Sequence, residues 1–338
     1  MKRKANIPIF IADRGCRGRC VFCNQKKISG ETRDITPQDA AASINDYLKS
    51  CSVSPRDIEI AFFGGSFSGL DPVLQEEFLS VAHGFVKDKR AGGIRLSTRP
   101  DLIDETVLRR FKRYGVTAVE LGAQSMDDRV LDLSGRGHTA DDTIAASGLI
   151  KSAGFELGLQ MMVGLPGDDE ASTMMTARKI SKLSPDTVRI YPTLVIKQTP
   201  LYELYLSGEY VPLSLDEAVL RCAEIVQLFK RVGINILRLG LMDAQGLREG
   251  DVVAGPYHPS FGELVYSKIF LSEIEQRLKV VDCAGRAIKI LCAACDISKI
   301  RGNKNKNINH LKKSLGLARI EVAVGDAAAP DGFDILFY

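Results

Sequence analysis

The stretch IPIFIADRGCRGRCVFCN, residues 7–24, runs an apolar hexamer straight into a loop holding Cys16, Cys20 and Cys23. The hexamer IPIFIA reads as a buried strand. The loop packs three of the chain's eight cysteines among arginines and glycines, in the spacing C-x3-C-x2-C. Three thiolates without a fourth suit structural zinc poorly, since that metal normally takes four protein ligands. They suit a cubane iron–sulfur cluster with one iron left open, whereas ordinary electron-transfer clusters take four cysteines. Gly15 and Gly18 would let a short loop wrap such a cluster. The competing reading is three reduced thiols with a packing role.

Composition favours the metal-site reading. The chain has 338 residues and a net charge of +3, too small to imply a general affinity for polyanions. The N-terminal charges precede only a few apolar residues before Asp13 and Arg14, too short a run for a signal-peptide core. No run of about 18 apolar residues exists to span a membrane. The expected compartment is the cytoplasm, where thiols stay reduced and a tight cysteine cluster is a metal site rather than a disulfide framework.

Working outward, short apolar runs alternate with amphipathic ones. Thr36, Pro37 and Asp39 open a helix with a capping pattern, and Asp71 with Pro72 opens another. Strands are expected at 58–63, 93–98, 116–125, 155–167 and 186–195, each but the last followed by a helix. Near-continuous apolar strands separated by amphipathic helices imply a parallel sheet covered by helices, and six such units suit a partial barrel. The cysteines, Gly64 and Gly65, Gln124 and Ser125, and the turn Gly164, Leu165 and Pro166 all fall at C-terminal strand ends, the edge where parallel α/β folds bind ligands. After about 198 come helices and the apolar segment 234–241. The last 80 or so residues mix one long helix with strands at 287–294, 318–324 and 333–338. The expected architecture is α/β, a partial (β/α)6 TIM-like barrel over residues 1–240 with a small C-terminal α+β domain, 241–338, that helps select the substrate.

The cysteine spacing with Phe22 before the last cysteine resembles the cluster loop of the radical S-adenosylmethionine (SAM) enzymes. The segments 97–104, 119–139, 158–168 and 191–210 resemble the branch of the Elongator catalytic subunit, which is related to the oxygen-independent coproporphyrinogen oxidases. The resemblance covers residues 7 to 240. It implies a [4Fe–4S] cluster on Cys16, Cys20 and Cys23, with SAM chelating the fourth iron, and a one-electron donor such as flavodoxin or ferredoxin. It implies that Phe22 lies against the adenine, that Gly64 and Gly65 meet the methionine amino group, and that Gln124 and Arg136 hold the polar end of SAM. Gly164, Leu165 and Pro166 would form the turn beside the adenine. Ser97 stands where related sequences carry an acid for the ribose hydroxyls, and Gln160 would be a second ribose partner. The implied chemistry is one-electron cleavage of SAM and hydrogen abstraction by a 5′-deoxyadenosyl radical.

Elongator-type proteins act on tRNA, which makes tRNA the leading substrate; nothing after residue 240 resembles their acetyltransferase domain. Small-molecule oxidation or carbon transfer of the porphyrinogen-oxidase type is the alternative, and a non-catalytic cluster or haem carrier a third. Basic residues bear on RNA: Arg14, Arg17, Arg19, Lys26 and Lys27 near the cysteines, and six Lys or Arg within 299–313. Tyr191 and Lys197 are candidates for the substrate pocket. Cys283, Cys292 and Cys295 are expected to be buried thiols rather than a second metal site, because Cys292 and Cys295 sit three apart in an apparent strand.

Overall fold

Seven parallel strands form the main sheet: β1 (Ala5–Ile11), β2 (Ile58–Gly64), β3 (Gly93–Thr98), β4 (Val116–Gln124), β5 (Glu156–Val163), β6 (Thr187–Pro192) and β8 (Asn235–Leu239). They lie side by side in the order β1-β2-β3-β4-β5-β6-β8, every pair parallel. The sheet curls into a partial barrel. Six of its strands are those expected from the apolar runs, and the segment after residue 234 supplies the seventh. This computed structural model describes residues 5–11, 14–16, 18, 20–30, 33–241, 250–325 and 330–338.

The outer face is helical. α2 (Pro37–Ser50) opens on a capping box in which Thr36 accepts from the Asp39 amide and Asp39 answers the Thr36 amide. α3 (Pro72–Lys87) is capped by Asp71, and α4 (Glu105–Arg113) by Asp104. α6 (Ala140–Ser152) and α7 (Glu170–Lys182) carry further capping boxes. α3 packs on β3, α4 on β4, α6 on β4 and β5, and α7 on β5. Two helices that matter for the site, α5 (Asp128–Leu133) and α8 (Pro200–Leu206), follow β4 and the short strand β7 (Val195–Ile196). β7 pairs antiparallel with β9 (Val252–Ala254).

The inner face of the sheet is not the apolar filling of a closed barrel. Arg95 on β3, 1% exposed, bonds Glu59 at 2.9 Å, Glu120 at 3.1 Å and Glu156 at 2.5 Å, from β2, β4 and β5. Arg189 on β6 adds two bonds to Glu120, at 2.7 and 3.2 Å. Burial works against the Arg95 charge, yet the three carboxylates together raise its proton affinity above the ordinary arginine range. Further along the same face Phe10, Phe63, Ser97, Gln160, Met162 and Tyr191 are only half-buried. The interior is therefore closed by charge at one end and open towards the C-terminal strand ends.

Packing divides the chain into one unit of residues 1–215 with 228–257, and a second of 216–227 with 258–338. In the second, α10 (Phe261–Leu278) and α12 (Lys306–Leu315) share a core with the sheet β11-β10-β12, where β10 (Ala287–Cys292) pairs parallel with β11 (Arg319–Val324) and antiparallel with β12 (Phe333–Phe337). Cys283 and Cys292 are buried as expected, but Cys295 is exposed. The strand ends at Cys292, and a 3-10 turn (Ala294–Asp296) turns Asp296 inward instead, to pair with Lys299 at 2.7 Å and accept from the Asp331 amide at 2.8 Å. Within the basic stretch Lys304, Lys306 and Lys313 are exposed. Among the described residues no helix is long and apolar enough to cross a membrane.

Candidate active site

The loop after β1 is held from three sides. The Gly65 amide donates to the Ile11 carbonyl at 2.8 Å and the Ser66 amide to the Arg14 carbonyl at 3.0 Å, so the turn after β2 is stitched to the cysteine loop. That approach explains Gly65: a Cβ there would stand 2.1 Å from the Arg14 carbonyl oxygen and 2.6 Å from that of Ile11. The Val21 amide donates to the Ser134 carbonyl after α5 at 3.1 Å, and the Leu201 amide of α8 donates to the Val21 carbonyl at 2.8 Å. Cys20 and Phe22 sit in an apolar cluster with Val130, Leu165, Val195, Leu201 and Tyr210. The loop ends in α1 (Gln25–Ser29), capped by Asn24.

Each sulfur has a polar neighbour from a different segment. Cys16 Sγ lies 3.1 Å from Ser66 Oγ, and Gln25 Nε2 donates to Cys23 Sγ at 3.4 Å. Arg136 Nη1 donates to the buried Cys20 Sγ at 3.0 Å. Among the described residues no three His, Cys, Asp or Glu side chains converge on a position for a single metal ion. A polynuclear cluster asks for something else, one thiolate per iron, and the donor set of three soft sulfurs on one loop with hydrogen-bond donors around them suits it. Arg17 and Arg19 lie outside the described residues. Lys27 is engaged with Asp251 at 2.7 Å.

Across from the loop, Arg136 Nη2 donates to the Gly122 carbonyl at 2.6 Å, while its Nε, buried, has no partner among the described residues. Arg136 is 6% exposed, not a solvated helix-end cation. Gln160 Nε2 donates to Gln124 Oε1 at 3.1 Å. Gln124 takes a left-handed backbone, φ 62°, where the β4–β5 register slips between Gly122 and Gln124, a strained geometry of the kind that gathers at working sites. Gly122 went unnoticed in the sequence and is what makes this corner possible. A Cβ there would lie 2.9 Å from Gln124 Nε2 and 3.3 Å from Arg136 Nη2. Its signal was a glycine inside an otherwise apolar strand. Replacing Gly122 with alanine should leave the fold intact and push Gln124 and Arg136 aside, weakening roughly tenfold or more the binding of the SAM that the sequence resemblance implies, read by equilibrium dialysis, since about 1.4 kcal/mol is a tenfold change.

Tyr191 and Ser97 face the same interior, and the Ser97 hydroxyl has no hydrogen bond among the described residues. Lys197 is exposed, and its ammonium has no partner among the described residues. The turn at Gly164 is fixed by Tyr210, whose hydroxyl donates to the Gly164 carbonyl at 2.6 Å, and by Asp168, which accepts from the Gly164 amide at 2.8 Å. Ser66 and Tyr210 were also missed as individual residues, and only the folded chain brings them in.

His138, two residues after Arg136, is buried with no well-formed hydrogen bond at either ring nitrogen. Burial, then the Arg136 and Arg99 charges, push its pKa down to about 4, against weaker opposition from Asp101 and the nearby Ala123 carbonyl. The folded protein therefore holds it neutral where the unfolded chain would protonate it. Between about pH 6.5 and 4 the unfolded state binds the extra proton, so stability falls as pH falls, by about 3 kcal/mol at most. Urea unfolding across that window should show this slope in the wild type and lose it in His138→Phe.

Comparison with known proteins agrees with this layout. Residues 11–180 match the Radical SAM superfamily, and residues 185–270 match the Radical_SAM C-terminal domain. The tRNA uridine(34) acetyltransferase of Methanocaldococcus jannaschii is 31% identical over 229 residues, covering 62% of this chain and 41% of that protein. Elongator complex protein 3 of Saccharomyces cerevisiae is 28% identical over 212 residues, covering 55% of this chain and 38% of that protein. The chain thus spans about two-fifths of the length of these curated relatives. In fold it resembles the archaeal Methanocaldococcus infernus Elp3 with its N-terminus deleted, with a TM-score of 0.66 and 24% identity over 82% of this chain and 63% of that one.

Proposed function

The chain belongs to the radical SAM superfamily of enzymes, and on that premise we propose that it cleaves SAM reductively at a [4Fe–4S] cluster and abstracts hydrogen from a tRNA substrate. The observation that carries the reading is Arg136, buried between the Cys20 sulfur and the Gly122 carbonyl with Nε unpaired. A buried arginine with an open donor is built to receive a carboxylate, here that of SAM.

Cys16, Cys20 and Cys23 would each hold one iron. Bound there with SAM, the cluster would supply one-electron cleavage of the sulfonium and a carbon radical that takes hydrogen. The protein's share is binding, orientation and exclusion of water. Gln124 and Gln160 present a joined pair of amides, with Ser97 a further hydroxyl, for the polar groups of SAM. The turn at Gly64 and Gly65 offers backbone groups for the methionine amino end. Phe22 and its apolar neighbours shield the side of the loop nearest Cys20. The electron would come from a donor of the flavodoxin or ferredoxin kind.

The case for tRNA rests on the relatives named for tRNA modification and on the exposed lysines of 299–313, which suit phosphates. Residues 258–338 would then help to select the substrate, and Tyr191, with Lys197 at the rim, would contact it. The reading is confined to the radical step and leaves acetyl transfer aside. The test is anaerobic reconstitution with iron and sulfide, reduction, addition of SAM, and measurement of 5′-deoxyadenosine with and without unmodified tRNA. Stimulation by tRNA supports the whole reading. Product that tRNA does not stimulate removes RNA as the substrate but keeps the radical step, and failure to bind iron removes both.

A further inference from the structure

Six neighbouring strands each carry one charge between two apolar residues: Glu59, Arg95, Glu120, Glu156, Arg189 and Arg238. Five of them are joined in the ion network of the inner face. The sixth is not. Arg238 pairs in register with Arg189, which sets two guanidinium groups side by side on adjacent strands. Like charges so placed repel and destabilise a sheet. Arg189 is neutralised by Glu120 and lies over the Phe63 ring, 4.8 Å from its centre. Among the described residues Arg238 meets two backbone carbonyls, Gly240 from Nε at 3.2 Å and Leu241 from Nη2 at 3.4 Å. Among the same residues its Nη1 has no acceptor and no carboxylate pairs with it. The series holds three acids and three bases, yet its third base stands beside another base rather than an acid.

Burial disfavours the Arg238 charge, Tyr191 offsets this only in part, and Arg189 adds repulsion, so its proton affinity falls below that of an ordinary arginine. An anion at this place would relieve both costs. The half-buried residues of the same face, Phe63, Gln160 and Tyr191 among them, leave the approach open. We propose that Arg238, flanked by Tyr191, is an anion-binding subsite that takes a phosphate or carboxylate group of the substrate. This rests on the inner face being the substrate chamber of the radical step. A guanidinium fork serves either oxyanion, so the two sources are separated by experiment.

Reconstituted protein with SAM bound is titrated with inorganic phosphate and, separately, with succinate, followed by calorimetry and by melting temperature. Wild type should bind one of them saturably. Arg238→Gln should bind it at least tenfold more weakly, Arg238→Lys in between, and Lys87→Gln, at an exposed lysine given no part in binding, as wild type. Without anion, Arg238→Gln should melt higher than wild type, because the repulsion from Arg189 is gone; an arginine with only a structural role would make it melt lower. Preference for phosphate points to a phosphate-bearing substrate, and preference for succinate to a carboxylic acid. Equal affinity in wild type and Arg238→Gln, or saturable binding of neither anion, overturns the proposal. Iron content is measured on the same samples, and its absence would overturn the cluster assignment while leaving the anion titration readable.

Discussion

Alanine at Cys16, Cys20 or Cys23 should each remove the iron, about four per chain by stoichiometry, and bring 5′-deoxyadenosine down to background. The three variants should not be equal in other respects. Cys16 is exposed and shares one hydrogen bond with Ser66, so its loss should cost the apo-protein little. Cys20 is buried and accepts from Arg136, whose Nε is already unpaired. Alanine there strands a second nitrogen of a buried cation, at a cost of about 1–3 kcal/mol. Cys20→Ser keeps an acceptor and should recover much of that stability while still losing the iron. Iron assay and melting temperature on the same four variants separate ligation from folding. If any single alanine variant keeps a full complement of iron, the ligand assignment is wrong.

Removing the charge at the closed end of the barrel should have the largest effect on stability. Arg95→Met leaves Glu59, Glu120 and Glu156 turned toward one another, with Arg189 still holding only Glu120. Breaking a buried pair on one side typically costs about 3–5 kcal/mol, because the carboxylates that faced Arg95 lose its charge while Glu59 and Glu120 stay buried. The pH dependence should also flatten. A proton on one of the three carboxyls partly replaces the missing cation, so the folded variant takes up protons that the unfolded chain does not. Lowering the pH from 7 toward about 5 should therefore cost the variant less stability than it costs the wild type, the loss through His138 being common to both. Denaturant unfolding at several pH values measures both; a variant as stable as wild type at pH 7 would mean that the network contributes nothing net.

The parallel sheet was legible because its strands read as near-continuous apolar runs and its helices announce themselves by caps such as Thr36 with Asp39. The seventh strand was harder to see, since residues 234–241 follow two helices rather than one and break the rhythm of the earlier units. The cysteine loop could be read because spacing alone limits what three thiolates can do. Its surroundings could not. Gly122 and Ser66 matter through close approach between segments, which no local pattern records. The charges within IEI, IRL, VEL, FEL, VRI and LRL, residues 58–60, 94–96, 119–121, 155–157, 188–190 and 237–239, were in plain view. Each looks like an isolated interruption of an apolar strand until strand order sets five of them against one another. Cys295 was misplaced for a related reason. The strand pattern continues through it, but burying Asp296 with Lys299 ends the strand early.

The ion network also makes the chamber a ruler. From Glu120 to Gln124 is four residues of strand, about 13 Å at roughly 3.3 Å per residue. That is room for one ring and its immediate attachments, not for a folded polymer. A long substrate would have to swing a single unit out of line and lower it between the strand ends, while its remaining length stayed outside. A small substrate would disappear whole. Depth, fixed by five charged side chains, would then decide how much of a molecule the radical can ever see.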